Sequence, residues 1–281
     1  MAATVAVVTD STARLPEQDI ARYGIRVVPL RVVAGGLACD DLSQALPEAL
    51  QEQVRGGARL STASPAPPAF AAAYAAAAGA GAAAVVSVHI SRSLSGTVNS
   101  ATLAASAAPV PVRVVDSRSL GMGLGFAALS AAEVAAAGGT LEDVAAAASH
   151  RSARLRSFFL LDTLDQLSAG GRLDPPSPGV TPRLTARPLL HLADGRVAVL
   201  EKLRTRSAAT RRLEEFAAEF AAGQPVDLGV QYLGPAERAT ALAGRLDRLI
   251  PGARRRYLAE AGAVILAHTG PDMLGVVVAP Y

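Results

Sequence analysis

Along the first half of the chain, apolar residues fall in short runs closed by small polar ones. Val5 to Thr9 is such a run, ending in Asp10-Ser11-Thr12, and its β-branched character predicts a buried strand. Leu15 to Tyr23 has helical spacing, with Thr12 as a candidate cap and Gly24 as a stop. Ile25 to Val33 reads as a second strand, with Pro29 marking an edge or a bulge. Leu42 to Arg55 is a helix candidate, and an Ala-rich helix leaves the turn at Pro65, Pro67 and Pro68 and runs to about Ala78. Ala83 to Ile90 and Val112 to Val115 read as two further strands, and Thr97 to Ala107, Gly125 to Ala137 and Leu141 to Arg151 as helices. Apolar strands alternating with helices predict a parallel sheet covered on both faces.

The pattern then changes. Ser157 to Asp162 reads as a strand, and Leu173 to Pro188 is Pro-rich and reads as an irregular crossing segment. Leu189 to Ala193 and Val197 to Leu203 flank Asp194-Gly195, a strong hairpin signal. Ser207 to Ala222 and Ala236 to Leu249 read as helices, Leu228 to Leu233 and Leu274 to Ala279 as strands. The prediction is an α/β chain of two domains, residues 1–153 with a Rossmann-type parallel sheet and residues 154–281 with a mixed sheet.

Composition narrows the function. Hydrophobic residues make up 51% of the chain and aromatics only 4%, so the core is built mainly from Ala, Val and Leu. The net charge is +3, and Arg254-Arg255-Arg256 beside Tyr257 is the only tight basic run, too small a footprint for nucleic-acid binding. Ala69 to Val88 is uncharged and of about spanning length, but it is mostly Ala and Gly, which predicts a buried helix followed by a buried strand. Cys39 is the only cysteine, so no internal disulfide forms, and Met1 to Asp10 lacks the basic n-region of a signal peptide. Together these predict a cytoplasmic protein. His89, His150 and His191 lack metal-ligand spacing, and no metal is expected.

The strand ends of the first domain are rich in small polar residues: Thr9-Asp10-Ser11-Thr12, Ser61-Thr62-Ala63-Ser64, Ser91 through Thr97, and Asp116-Ser117. In open α/β sheets ligands bind beyond the carboxyl ends of the strands. Ser95-Gly96-Thr97 stands where a strand gives way to a helix. Gly96 lets a ligand approach the backbone, and the free N–H groups of a helix start attract an anion. The competing reading is that Ser95 only caps the helix. Gly121, Gly123 and Gly125 do not have dinucleotide-binding spacing, and no G-x-S-x-G elbow is present. Ser95, His268 and an acid such as Asp116 nevertheless contain the parts of a hydrolytic triad, so a serine-dependent esterase or thioesterase stays open.

Taken in order, Val8-Thr9-Asp10-Ser11-Thr12, Val27-Val28-Pro29-Leu30, Leu94-Ser95-Gly96-Thr97 with Ser100-Ala101, and Val115-Asp116-Ser117 form a set. It continues through Asp162-Thr163-Leu164, Gly170-Gly171-Arg172, Arg187-Pro188-Leu189-Leu190, Arg204-Thr205-Arg206 and His268-Thr269-Gly270-Pro271. The set spans essentially the whole chain and resembles the DegV family, the fatty-acid-binding partners of bacterial fatty acid kinase. What the resemblance implies is a non-enzymatic, monomeric lipid carrier with a long-chain fatty acid such as palmitate, stearate or oleate in an apolar tunnel between two domains. It implies no cofactor beyond that ligand. The carboxylate is then held by Thr62, Ser95 with Gly96, and His268, and Arg172, Arg204 and Arg206 face the kinase, which makes an acyl phosphate for phospholipid metabolism. Lipid exchange implies a peripheral membrane contact. Hydroxyls, helix-terminal N–H groups and an imidazole suit a carboxylate, and a tail of about sixteen carbons supplies roughly 0.8 kcal/mol per buried CH₂. A lipid-sensing regulatory protein is the remaining alternative. Two departures stand out: Ala63 replaces the usual Ser of the T-T-S turn, and Leu173 to Arg183 is Pro-rich where relatives carry a helix.

Overall fold

The computed structural model describes residues 4–42, 48–174 and 187–281. The chain divides into two compact units, Met1–Ala153 with Gly262–Val264, and Arg154–Ala261 with Ile265–Tyr281.

In the first unit β1 (Val5–Asp10) runs into a 3-10 turn, Ser11–Ala13, and then α1 (Glu17–Tyr23). β2 (Arg26–Val28), β3 (Arg31–Ala34) and β4 (Leu37–Asp40) follow, then α2 (Glu48–Arg55), β5 (Ser61–Ala63) and α3 (Pro67–Gly79). β6 (Ala84–His89), α4 (Thr97–Ala105), β7 (Val112–Asp116), α5 (Met122–Ala136) and α6 (Leu141–Arg154) complete it. Four strands form a parallel sheet in the order β2-β1-β6-β7. All six residues of β6 are buried, as an apolar run covered on both faces must be. Val8, Val85, Phe70, Tyr74, Ala77, Ala101 and Ala104 form one core under α3 and α4.

Small residues set the spacing of these layers. At Gly125 of α5 a β-carbon would stand 2.6 Å from the carbonyl oxygen of Ala13, so only glycine lets the helix come this close to the turn after β1. Packing therefore accounts for this glycine of the Gly121-Gly123-Gly125 set.

The expected strand Ile25 to Val33 is two strands. Pro29 has no N–H to give a ladder, and the chain changes sheets there: β2 pairs with β1, while β3 pairs with β4 and β5 in a separate antiparallel sheet of order β4-β3-β5. Leu30, Val32, Ala34, Leu50, Ala263 and Val264 form its core. α1 begins at Glu17 behind Pro16, not behind a Thr12 cap, because Thr12 is held in the 3-10 turn. Gly24 does end that helix, in the left-handed region at φ 62°. The helix expected over Leu42 to Arg55 is seen from Glu48; residues 43–47 lie outside the described residues.

The second unit holds β8 (Arg156–Leu161), α7 (Asp165–Ala169), β9 (Arg187–Ala193), β10 (Arg196–Leu203), α8 (Arg206–Ala221) and β11 (Val226–Leu233). α9 (Ala236–Leu249), β12 (Ala253–Glu260), α10 (Ala263–Thr269) and β13 (Met273–Pro280) close the chain; the first two residues of α10 count with the first unit. The six strands form a mixed sheet, β10-β9-β8-β13-β11-β12, in which only β11 and β12 run parallel. α8 and α9 lay Leu213, Ala217, Leu242 and Leu246 onto Leu189, Leu228, Val230 and Val276. Asp194 and Gly195 both have positive φ, 50° and 80°, as the tight hairpin between β9 and β10 requires.

β12 was not expected as a strand, because its three arginines read as a charged run. After the buried Ala253 its side chains alternate exposed and half-buried, as on an edge strand. Arg256 pairs with Asp247 at 2.6 Å, Arg255 faces Asp227 at 3.9 Å, and Arg254 lies 3.8 Å over the Tyr281 ring. The basic run is thus engaged within its own unit. The Pro-rich stretch at 175–186 lies outside the described residues. Among the described residues no helix is long and apolar enough to cross a membrane. Ala69 to Val88 covers most of α3 and β6, and while β6 is buried as expected, α3 buries only Phe70, Tyr74 and Ala77 and is a surface helix, because its sheet covers one face alone.

Candidate functional site

In the first unit the chain leaves β1 toward β2 on one side and β6 toward β7 on the other, so the connections diverge between β1 and β6. Such a divergence opens a crevice at the carboxyl ends of the two strands. The turn after β1 and the Ser91–Thr97 turn after β6 stand there.

A fully buried hydrogen-bond chain ties these two turns together. The Thr12 N–H and hydroxyl donate to Asp10 Oδ1 at 3.1 and 2.5 Å, and the Ile90 N–H donates to Asp10 Oδ2 at 2.9 Å. His89 Nδ1 lies 3.1 Å from the same oxygen, His89 Nε2 lies 2.6 Å from Ser87 Oγ, and the Tyr74 hydroxyl donates to Ser87 at 2.9 Å. A neutral His89 that donates to Asp10 through Nδ1 accepts from Ser87 at Nε2, which leaves Ser87 to accept from Tyr74. Burial pushes the Tyr74 hydroxyl up to about 12, which keeps it a proton donor. Ser87, His89 and Asp10 have the order of a hydrolytic triad, yet each is fully buried, so they fix the strand ends rather than meet a substrate.

Ser95 is not the helix cap that one reading of the sequence makes it. The N-cap of α4 is Gly96, no side chain caps the helix, and Ser95 Oγ lies 2.9 Å from Thr97 Oγ1 instead. The helix therefore starts with N–H groups that no side chain satisfies, flanked by two hydroxyls. β5 brings the Ser61–Ser64 segment to this turn. Thr62 pairs with Val32 in the small sheet, and Ser64 Oγ stands 3.3 Å from where a β-carbon on Gly96 would be. Thr97 belongs to the turn already read from the sequence, whereas the approach of Ser64 to Gly96 is a contact between distant segments that no local pattern reveals.

Asp116, the acid proposed for a triad with Ser95, is committed elsewhere. Arg92 Nε lies 3.1 Å from its carboxylate, and the backbone N–H groups of Arg92 and Arg118 donate to it at 3.3 and 2.9 Å.

In the second unit the carboxyl end of β8, the start of β9, the end of β10 and the start of β13 fall at one end of the sheet, as the register pairs Leu161 with Met273, Leu160 with Leu189, and Leu203 with Arg187. The short motifs of this half converge there. Asp162 binds Arg187 at 2.5 Å and Arg206 at 2.9 Å, Arg206 reaches Asp272 at 2.8 Å, and Arg238 also holds Asp272. Burial pushes the Asp272 carboxyl up, but the hydrogen bond and charge of Arg238, with the charge of Arg206, hold it below the usual carboxylate range.

His268 lies in the last turn of α10, where sequence reading placed only a turn. A β-carbon on Gly170 would stand 3.4 Å from His268 Nδ1, and one on Gly270 would stand 2.5 Å from Gln166 Oε1. The Gly170-Gly171-Arg172 turn and Gln166 are therefore packed against the His268-Thr269-Gly270 turn. Burial and then the Arg172 charge push the His268 imidazole below its ordinary value, which keeps it neutral near pH 7. Arg172 donates to the Gly170 carbonyl, whereas Arg204 is exposed and makes no ion pair among the described residues.

A cavity of about 430 Å³ also exists in this unit, lined by Ala218, Ala222, Gly223, Pro225, Leu249 and Gly252. It lies by Pro225, at the end of the sheet opposite the His268 turn, since Val226 pairs with Pro280 and Leu233 with Met273. Among the described residues no group of His, Cys, Asp and Glu could hold a metal ion.

The family model described as "Uncharacterised protein, DegV family" matches residues 4–281. A DegV domain-containing protein of Streptomyces coelicolor is 46% identical over 278 residues, 99% of each chain. A DegV family protein from Thermus thermophilus, whose structure is described as showing fatty acid binding, superposes with a TM-score of 0.89 at 34% identity, covering 99% of this chain and 100% of that one. The fatty acid binding protein DegV of Bacillus subtilis gives 0.88 at 29% identity over 99% and 100%. A family match over nearly the whole length, with relatives of the same fold, means that this chain belongs to the DegV family.

Proposed function

We propose that this protein binds a long-chain fatty acid in the cytoplasm without transforming it, and presents the carboxylate to a fatty acid kinase. The head group is held by Thr62, by Ser95 and the backbone at Gly96, and by His268, while Arg172, Arg204 and Arg206 face the kinase. One observation carries the reading: α4 begins at the β1/β6 divergence with no side-chain cap and with two hydroxyls beside its free N–H groups. Such a helix start attracts an anion. The fatty acid binding described for the Thermus and Bacillus relatives supports an acyl carboxylate as that anion. A neutral His268 donates one hydrogen bond without the cost of burying a second charge. Against hydrolysis stand the commitment of Asp116 to Arg92 and Arg118 and the burial of Ser87.

Native mass spectrometry of protein purified from cells is expected to show a bound fatty acid of 14 to 18 carbons. A chain that stays empty and takes up none of these acids on addition would sink the reading.

A further inference from the structure

We propose that Ser64 is a further head-group residue, donating a hydrogen bond to the carboxylate bound at the Ser95-Gly96-Thr97 turn. This deepens the fatty-acid reading above and rests on it. Three observations on this unit point to Ser64. Side chains alternate along an extended segment, so Thr62 and Ser64 share a side; both are half-buried, while Ser61 and Ala63 are exposed. Pro65 keeps Ser64 extended, because the residue before a proline is driven out of the helical region. The Ser64 hydroxyl then stands 3.3 Å from the place a β-carbon would take on Gly96, the residue that opens α4.

Among the described residues the hydroxyl has no partner. Ser64 makes no hydrogen bond to another described residue, whereas Ser95 and Thr97 are bonded to each other. A free donor beside an uncapped helix start is what an arriving anion would engage, and a hydrogen bond to a charged oxygen is worth more than one between neutral groups. Gly96 then has a second task. Its φ of −71° and ψ of 3° suit any residue, so what glycine provides is room for Ser64.

The test measures palmitate and hexadecanol affinity for the wild type, Ser64→Ala, Ser64→Thr, Gly96→Ala and the Ser64→Ala/Gly96→Ala double variant. Loss of a hydrogen bond to a charged group should lower the palmitate-to-hexadecanol affinity ratio about tenfold in Ser64→Ala, with Ser64→Thr restoring most of it. Gly96→Ala should lower palmitate affinity in the wild-type background and have less effect once Ser64 is Ala, because the crowded hydroxyl is gone. A ratio unchanged in Ser64→Ala, in protein whose wild type binds palmitate, would overturn the role of Ser64 and leave the fatty-acid reading standing. A wild type that does not bind palmitate would fail that reading itself.

Discussion

Arg206 closes on Asp162 with its Nη2 atom 2.9 and 3.0 Å from the two carboxylate oxygens. The same nitrogen lies 2.8 Å from Asp272. Both arginines of the Arg204-Thr205-Arg206 motif are exposed, but Arg206 is tied into a charge network of its own domain while Arg204 makes no ion pair among the described residues. Thr205 accounts for the turn between them, since its hydroxyl accepts from the Ala208 N–H and caps α8.

The two arginines should therefore separate by experiment. Arg206→Ala removes one member of a five-residue charge network, Arg187, Asp162, Arg206, Asp272 and Arg238, and is expected to cost about 1 kcal/mol of stability in urea unfolding. Arg204→Ala should leave the unfolding midpoint unchanged and lower acyl phosphate formation with the kinase. Equal loss of stability in both variants would contradict the division of roles drawn from the network.

Asp10 gathers its donors inside the protein, where water cannot replace it. Asp10→Ala strands the N–H groups of Thr12 and Ile90, the Thr12 hydroxyl and His89 Nδ1 at a fully buried site. The expected cost is about 3–4 kcal/mol in chemical denaturation. Asp10→Asn keeps the shape and one acceptor oxygen, so it should cost less. A change under about 1 kcal/mol for Asp10→Ala would show that the strand ends are held by other means.

His268 gives a signed pH effect. Its folded value is depressed by burial and by Arg172, so the unfolded chain takes up a proton at a pH where the folded imidazole does not. The contribution is fully present above the ordinary histidine value and is lost as pH falls from there through the folded value. Stability of ligand-free protein should drop between about pH 7 and 5 more than that of His268→Gln. An acyl carboxylate beside the ring favours the charged imidazole, so bound palmitate should raise the His268 value in an NMR titration and palmitate should bind more tightly as pH falls through that window. A titration that does not move on adding palmitate would remove His268 from the head-group site.

Gly125 and Gly24 are expected to differ although both are helical-region glycines by sequence. Gly125→Ala drives a β-carbon to 2.6 Å from the Ala13 carbonyl and should cost about 2 kcal/mol or more, since neither α5 nor the turn can yield freely. Around Gly24 nothing lies within 4 Å, so Gly24→Ala should cost only the strain of φ 62°, about 1 kcal/mol. Thermal unfolding of the two variants, side by side, reads the difference.

Local pattern was enough for much of this protein. Strand-length apolar runs, the Asp194-Gly195 hairpin, the stop at Gly24 and the Ala-rich α3 are each decided within a few residues, by side-chain period and by the conformations that glycine and proline allow or forbid. The order of the small polar motifs was likewise legible, and with it the family. What the sequence could not decide is what each motif touches. Ser95 looks like a cap, but whether it caps depends on where α4 starts. Ser64 meets Gly96 across distant segments of its unit, and Arg206 meets acids 44 and 66 residues away because antiparallel pairing brings the ends of β8, β10 and β13 together. Contacts of that separation depend on sheet order and on the close packing of buried layers, which no local stretch of residues encodes.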